Sequence, residues 1–335
     1  MTGIKALQKI QLGVESIAGT LVAADVIWRG TGVPADDIEI IRPDENIGVA
    51  APTDRTYVSK YGSTWQFEDT PATFQHLNYV LSCGVENDEA GVADGAGTGK
   101  IFTHNLPGAA ASTIVTATLE GGDNQQEEES GYAFVESFNI SGKGGEALMM
   151  NSTWRAHQLQ PGTFTAGLAV VPVEEVLFSR GIIYIEPTGG TFSSTRKVGT
   201  LMSMNLQCNT GWAPYYSADG GMNFAFHKWT RENFNLAVDM TFEHNASAVA
   251  EKLAWRAGTA RMVSLVFGGS ALTTPGTAYS YFTFKINLVG KWDSFSAITD
   301  ENGNDQVTGK FLAAYNATEA ELGHFVVVNE TATRV

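Results

Sequence analysis

Few residues in this sequence have the types and spacing for chemistry. GVADGAGTGKI, residues 91–101, has the glycine density and Gly-Lys pair of a phosphate-binding loop. That motif needs a glycine, a four-residue spacer, then Gly-Lys-Ser/Thr. Here Asp94 stands at the first glycine position, and Ile101 replaces the hydroxyl that would hold magnesium. The stretch therefore reads as a flexible loop. DENGNDQVTGKF, residues 300–311, places Asp300, Asn302 and Asn304 as a calcium loop would. Its glycine, Gly303, comes two positions early, and Phe311 stands where the closing carboxylate belongs. A turn around Asn302-Gly303, joining the strands KWDSFSAIT and QVTGKFLAA, fits better.

The histidines His76, His104, His157, His227, His244 and His324 are scattered. None lies in H-E-x-x-H or pairs with cysteine at metal spacing. His76, beside a helical stripe, is expected at a surface or an interface. There is no G-x-S-x-G elbow. Glu174 and Glu175 are adjacent, so on a strand they point to opposite faces and cannot form a glycosidase pair. GWAPYYSADGGMNFAFHKW clusters Trp212, Tyr215, Tyr216, Phe224, Phe226 and Trp229. An exposed cluster of this kind could stack sugars, but core plus a subunit contact is the preferred reading. No catalytic residue, cofactor site or metal site is expected, and the chain is not read as an enzyme.

Composition sets the remaining limits. The 335 residues are 43% apolar, enough for a large core. Against 36 acidic side chains stand 21 basic ones, a formal charge of −15. Such a balance disfavours stable nucleic-acid binding and anionic membranes. Cys83 and Cys208 sit in apolar surroundings outside any C-x-x-C pair and read as buried free thiols. No apolar run is long enough for a membrane-spanning helix.

Most of the chain alternates apolar and polar residues in short runs, so the elements that must position any site are strands. Tyr132, Phe134, Phe138 and Ile140 are expected on one face. So are Phe282, Phe284, Ile286 and Leu288, and likewise Leu236, Val238, Met240 and Phe242. Two segments read as helices. Over 71–83, Thr70 would cap, Pro71 would start and Gly84 would close, with Phe74, Leu77 and Leu81 as the buried stripe. Over 246–257, Asn245 would cap and Gly258 close, with Ala246, Val249, Ala250, Leu253 and Ala257 inward.

The surroundings of the two helices match. STWQFED and LAVDMTFEH precede them, STIVTATLEG and RMVSLVFGG follow, and FNISG or INLVG comes next. This predicts an internal duplication, a β-sandwich carrying one helix and built twice. The fold expected is mainly β, with a first domain over 1–190 and a second over 191–335. The seam falls in PTGGTFSSTR. Residues 85–99 and 120–131 read as acidic, mobile loop insertions.

The sequence opens on an extended arm, QLGVESIAGTLVAADVIWRG, that lacks helical spacing. An unpaired strand is a liability unless something covers it. Ile10, Leu12, Val14, Ile17, Val22, Val26 and Trp28 are the candidate residues for an arm reaching another subunit.

These residues resemble the opening of the major tail proteins, or tail tube proteins, of long-tailed bacteriophages. The similar phrase runs from Glu15 through Gly19-Thr20 to Val22–Trp28. IRPDENIG, ATFQHLNYVLSCGV and FTFKINLVGKWDSFSAITDENGNDQVTGKFLAAYNA are similar to later parts of that family. The resemblance implies a two-domain, trimeric, pseudo-hexameric ring, or a hexameric ring, whose inward strands form a continuous β-barrel. Stacked head to tail, the rings form a virion tube assembled in the bacterial cytoplasm. It also implies tape-measure, tail-terminator and distal tail proteins as partners, and DNA passing through without stable binding. The alternative is an adhesive or carbohydrate-binding β-sandwich using Trp212 or Tyr215.

Overall fold

A computed structural model describes residues 3–301 and 303–332. The protein is mainly β, with about half its residues in strands and two α-helices. The earlier part of the chain forms β1 (Lys9–Val14), β2 (Val26–Ile27), β3 (Gly32–Asp36), β4 (Glu39–Ile41), β5 (Tyr57–Lys60) and β6 (Ser63–Pro71). After α1 (Leu77–Gly84) come β7 (Val92–Ala93), β8 (Lys100–Asn105), β9 (Ala117–Gly122), β10 (Glu127–Lys143), β11 (Met149–Ala156) and β12 (Gln160–Pro161). The later part forms β13 (Gly181–Pro187), β14 (Arg196–Lys197), β15 (Leu201–Tyr215) and β16 (Phe226–Glu243). Then come α2 (Ala246–Arg256), β17 (Arg261–Ala271), β18 (Tyr281–Phe295), β19 (Thr299–Glu301), β20 (Asn304–Ala313) and β21 (Gly323–Asn329).

All strand pairs are antiparallel, and two series stand out. The first runs β2–β1–β9–β10–β11–β6–β3. The second runs β14–β13–β17–β18–β20–β16–β15. The long strand in the middle of each series takes a further partner near its start, β12 on β10 and β21 on β18. The series are joined where β15 pairs with β10. β8 adds to β21, so the earlier part of the chain also extends the later sheet. The named pairings branch at β10, β18 and β20 without returning on themselves, so no barrel closes within the chain among the described residues. The expected seam at 190/191 lies in the turn between β13 and β14. Because β13 pairs along its whole length with β17, residues 181–187 belong by pairing to the later series.

The core follows the alternation in two of the three strands. Leu236, Val238, Met240 and Phe242 are all buried together, as are Phe284, Ile286 and Leu288. In β10 the single face is broken. A bulge between Val135 and Ser137 shifts the register, so Val135, Phe138 and Ile140 enter the main core while Tyr132 and Phe134 join a separate cluster.

Both helices depart from expectation. Thr70 and Pro71 stay in β6, opposite Met150 and Met149, so α1 begins six residues later than Pro71 implied. Every residue of α1 is buried, so its faces are not distinguished. For α2 the caps hold: the Asn245 side chain accepts from Ser247 N and Ala248 N, and Gly258 comes next at φ 63°. Its inward face is different. Ala248, Glu251 and Ala254 are buried, whereas Val249 is 40% and Leu253 55% exposed. Glu251 turns inward because Arg261 Nε lies 3.0 Å and Trp292 Nε1 3.1 Å from its carboxylate. A buried carboxylate is tolerated when it is paired and hydrogen-bonded.

Candidate assembly surfaces

The joint between the two strand series is the most developed interface in the molecule. Seven residue pairs, Ser137–Asn209 to Lys143–Ser203, zip β10 to β15. At one end the Thr210 hydroxyl donates to the bulge carbonyls of Val135, at 2.8 Å, and Glu136, at 2.9 Å. This caps groups that the bulge leaves without ladder partners.

Beyond the ladder, the tip of the β15–β16 hairpin seats on β10 and on the chain leaving β11. Phe224 packs its ring 5.1 Å from Tyr132, 5.9 Å from Phe134 and 4.5 Å from His157. His157 Nε2 lies 2.9 Å from the Phe224 carbonyl, and Asn223 Oδ1 accepts from Gln158 N. Tyr216 donates its hydroxyl to the Tyr61 carbonyl. Burial lowers the pKa of His157 and of His227, so both are held toward the neutral form within this seat. Burial likewise raises the Tyr132 and Tyr216 hydroxyls.

Most of the aromatic cluster found in the sequence is thus internal packing. Trp212 and Phe224 are buried, while Tyr215 and Phe226 stack at 5.1 Å on the outside. Of the two residues named for sugar stacking, Trp212 is buried and Tyr215 is exposed.

The two series share a strand order and, around this joint, one bulge position and one cross-strand row. Both middle strands bulge just before a Ser-Phe pair, at Glu136 and at Asp293. Across four neighbouring strands, Val135, Trp154, Trp65 and Pro34 form one row. Trp292, Phe311, Val238 and Leu206 form the corresponding row. The phrases FNISG and INLVG, similar as sequences, are therefore out of register. VESF and WDSF are the segments that occupy equivalent places.

In that correspondence β15 answers to β3, and β10 to β18. β15 fills the edge of β10, but among the described residues the matching edges elsewhere have no strand on them. Among those residues β3 pairs only with β6. Thr31 O accepts from Glu68 N of β6, and Asp37 N donates to the carbonyl of Gly62 just before β6, so alternation turns the backbone groups of Gly32, Pro34 and Asp36 outward. Ser296 N bonds to Thr308 O of β20, which turns Phe295 and Ala297 outward in the same way.

The arm is placed differently from expectation. β1 pairs with β9 from Lys9–Gly122 to Val14–Ala117. Ile10, Leu12, Val26 and Trp28 are in the core, Val14 and Val22 are half-buried, and Ile17 alone of the seven is exposed. β1 is a strand of its own sheet, and Ile10, Leu12, Val26 and Trp28 are taken up in the chain's own core. Gly13 is required there, because a Cβ would run into the Ala23 carbonyl. Glu15, which interrupts the apolar run in the sequence, is the buried anchor. It accepts from Gly19 N at 2.7 Å, Tyr132 N at 2.9 Å and the hydroxyls of Thr116 and Thr118.

Other acids act in the same way, and sequence reasoning missed them. Asp94 is buried and accepts from Ala278 N and Tyr279 N, which pins the 85–99 segment. Glu120 accepts from the Thr165 N–H and hydroxyl. Residues 120–131 are not a long loop but the β9–β10 hairpin around a short turn. Only the bond from Gly19 N to Glu15 was open to a local reading, since the donors to Asp94 and Glu120 lie 184 or 185 and 45 residues away.

His76 is buried rather than at the surface. It stacks on Trp28 at 4.8 Å, and burial, with Arg29 nearby, lowers its pKa to about 4. Cys83 and Cys208 are both buried, and neither is in a disulfide. Asp300 accepts from Gly303 N in the β19–β20 turn, while Asn302 lies outside the described residues. Among the described residues, no three His, Cys, Asp or Glu side chains group as a metal site requires, and no helix is long and apolar enough to cross a membrane. Compared with known families and with curated proteins, the sequence matches neither a family model nor an individual relative.

Proposed function

We propose that the chain is a structural subunit made of two copies of one β-unit in tandem, and that it assembles with itself into stacked rings. On this reading the stack is a tube of the kind formed by the major tail proteins of long-tailed bacteriophages, and it conducts DNA during ejection. One observation carries the proposal. The same seven-strand order recurs with the same cross-strand row, the two occurrences are joined edge to edge, and the counterpart edges are unpaired. A joint that links unit to unit inside the chain can link chain to chain. Repeated by rotation, such head-to-tail contacts close into rings. Three two-unit chains would give a ring of six units, and six chains a larger one.

The partners are then further copies, with tape-measure, tail-terminator and distal tail proteins at the ends and in the bore. The formal charge of −15 suits a wall that duplex DNA must pass without lasting phosphate contacts. The adhesin alternative would rest on the exposed Tyr215, since Trp212 is buried. Negative-stain imaging and sedimentation of the purified chain test the proposal. Rings or tubes are expected; a chain that stays monomeric at millimolar concentration and binds glycans would overturn it.

A further inference from the structure

The β15–β16 hairpin has a counterpart with nowhere to sit. β3 and β6 continue into β4 and β5, paired Glu39–Lys60 and Ile41–Tyr57, so the two hairpins occupy equivalent positions in their series. The tip of the later hairpin is buried against the earlier unit. The tip of the earlier one stands free, with Ile40, Ile47, Val49 and Tyr57 exposed.

The seat also has a counterpart. Carrying Tyr132, Phe134 and His157 across the matched rows gives Val289, Lys291 and Ala314. At that place lies an open groove of about 380 Å3, whose lining includes Lys291, Trp292, Leu312, Ala314 and Tyr315. Lys291, exposed where the earlier unit has Phe134, suits a hairpin that is acidic on balance: residues 36–60 carry six acidic against three basic side chains, with Asp37 and Glu39 already paired to Arg155 and Lys60. A hairpin without its seat and a seat without its hairpin, on opposite units of one chain, are complementary between copies.

We infer that the β4–β5 hairpin of one copy docks into the Lys291–Tyr315 groove of the next, while its β3 edge pairs with residues 295–299 of that copy. This rests on the head-to-tail reading above and fixes where and in what register it occurs. The internal ladder pairs Phe138 with Cys208, Ile140 with Leu206 and Gly142 with Met204. Transposed, Phe295 meets Asp36 of the next copy, Ala297 meets Pro34, Ile298 meets Val33 and Thr299 meets Gly32. Val33 is 53% and Ile298 49% exposed in the single chain, and the pairing brings these two apolar side chains together.

The register is testable. Val33 and Ile298 fall at a non-hydrogen-bonded position of the proposed ladder, where Cα atoms approach to about 4.5 Å, within disulfide range. The double variant Val33→Cys/Ile298→Cys, mildly oxidised, should give a ladder of disulfide-linked multimers. The offset pair Ala35→Cys/Ile298→Cys should give at least about ten times less, since a two-residue slip moves the partners out of reach. Ala314→Trp, filling the groove from an exposed position, should abolish assembly at concentrations where the parent assembles, with an unchanged melting profile. Full assembly with no ladder and no effect of Ala314→Trp overturns this joint and leaves self-assembly standing. A chain that neither assembles nor cross-links under any condition overturns both.

Discussion

His76 couples the packing of the first helix to acidity. Its ring lies between the indole of Trp28 and the start of α1, and its Nε2 is buried without a hydrogen-bond partner. Protonation would put a charge into that space beside Arg29. In the unfolded chain the imidazole titrates near 6.5, and in the folded protein at about 4. Between those values the unfolded state binds a proton that the folded state refuses. Stability is therefore full above about pH 6.5, declines as pH falls toward 4, and is level below that. At about 1.4 kcal/mol per pH unit, this residue alone should account for a loss of about 3 kcal/mol. His157 and His227 shift in the same direction, and carboxylates add their own acid dependence, so the comparison must be differential. Urea unfolding at pH 7, 5.5 and 4 should show the parent losing about 3 kcal/mol more than His76→Gln across that range. Parallel profiles for the two proteins would refute the burial argument.

Replacing Leu77, fully buried in α1, by alanine should cost about 2–5 kcal/mol in urea unfolding. Leu253→Ala, on the exposed face of α2, should cost no more than about 0.5 kcal/mol; a cost of several kcal/mol would mean that face is covered. Assembled protein should not retain duplex DNA in co-sedimentation at about 0.15 M salt, and saturable micromolar binding there would contradict a conduit.

The sequence was most legible where one physical rule acted alone. β16 buries the alternating Leu236, Val238, Met240 and Phe242 together, as the period-two pattern predicts. The α2 boundaries read correctly because Asn245 and Gly258 cap by local backbone chemistry. Its face did not, because Glu251 is turned inward by Arg261 and Trp292, partners that are close in space but not in sequence. Pro71 suggested a helix start, yet it closes β6, where pairing with β11 decides the backbone. The bulge at Glu136 is invisible to a period-two reading, and it misassigned Tyr132 and Phe134. The open edges and the empty groove could not be read at all, since they are defined by which strands are missing beside them.

Pro34 occupies an outward position of β3, where the corresponding Leu206 has an N–H directed toward β10. A ladder with no donor at its midpoint is a poor template for stray strands. In a head-to-tail polymer it also means that the edge holds weakly until the hairpin is seated. Growth of such a polymer would then depend on two contacts forming together, and the first closed ring would be the slow species. Freshly made subunits would persist in solution through a lag, and a preformed end, offering edge and groove already aligned, would abolish it.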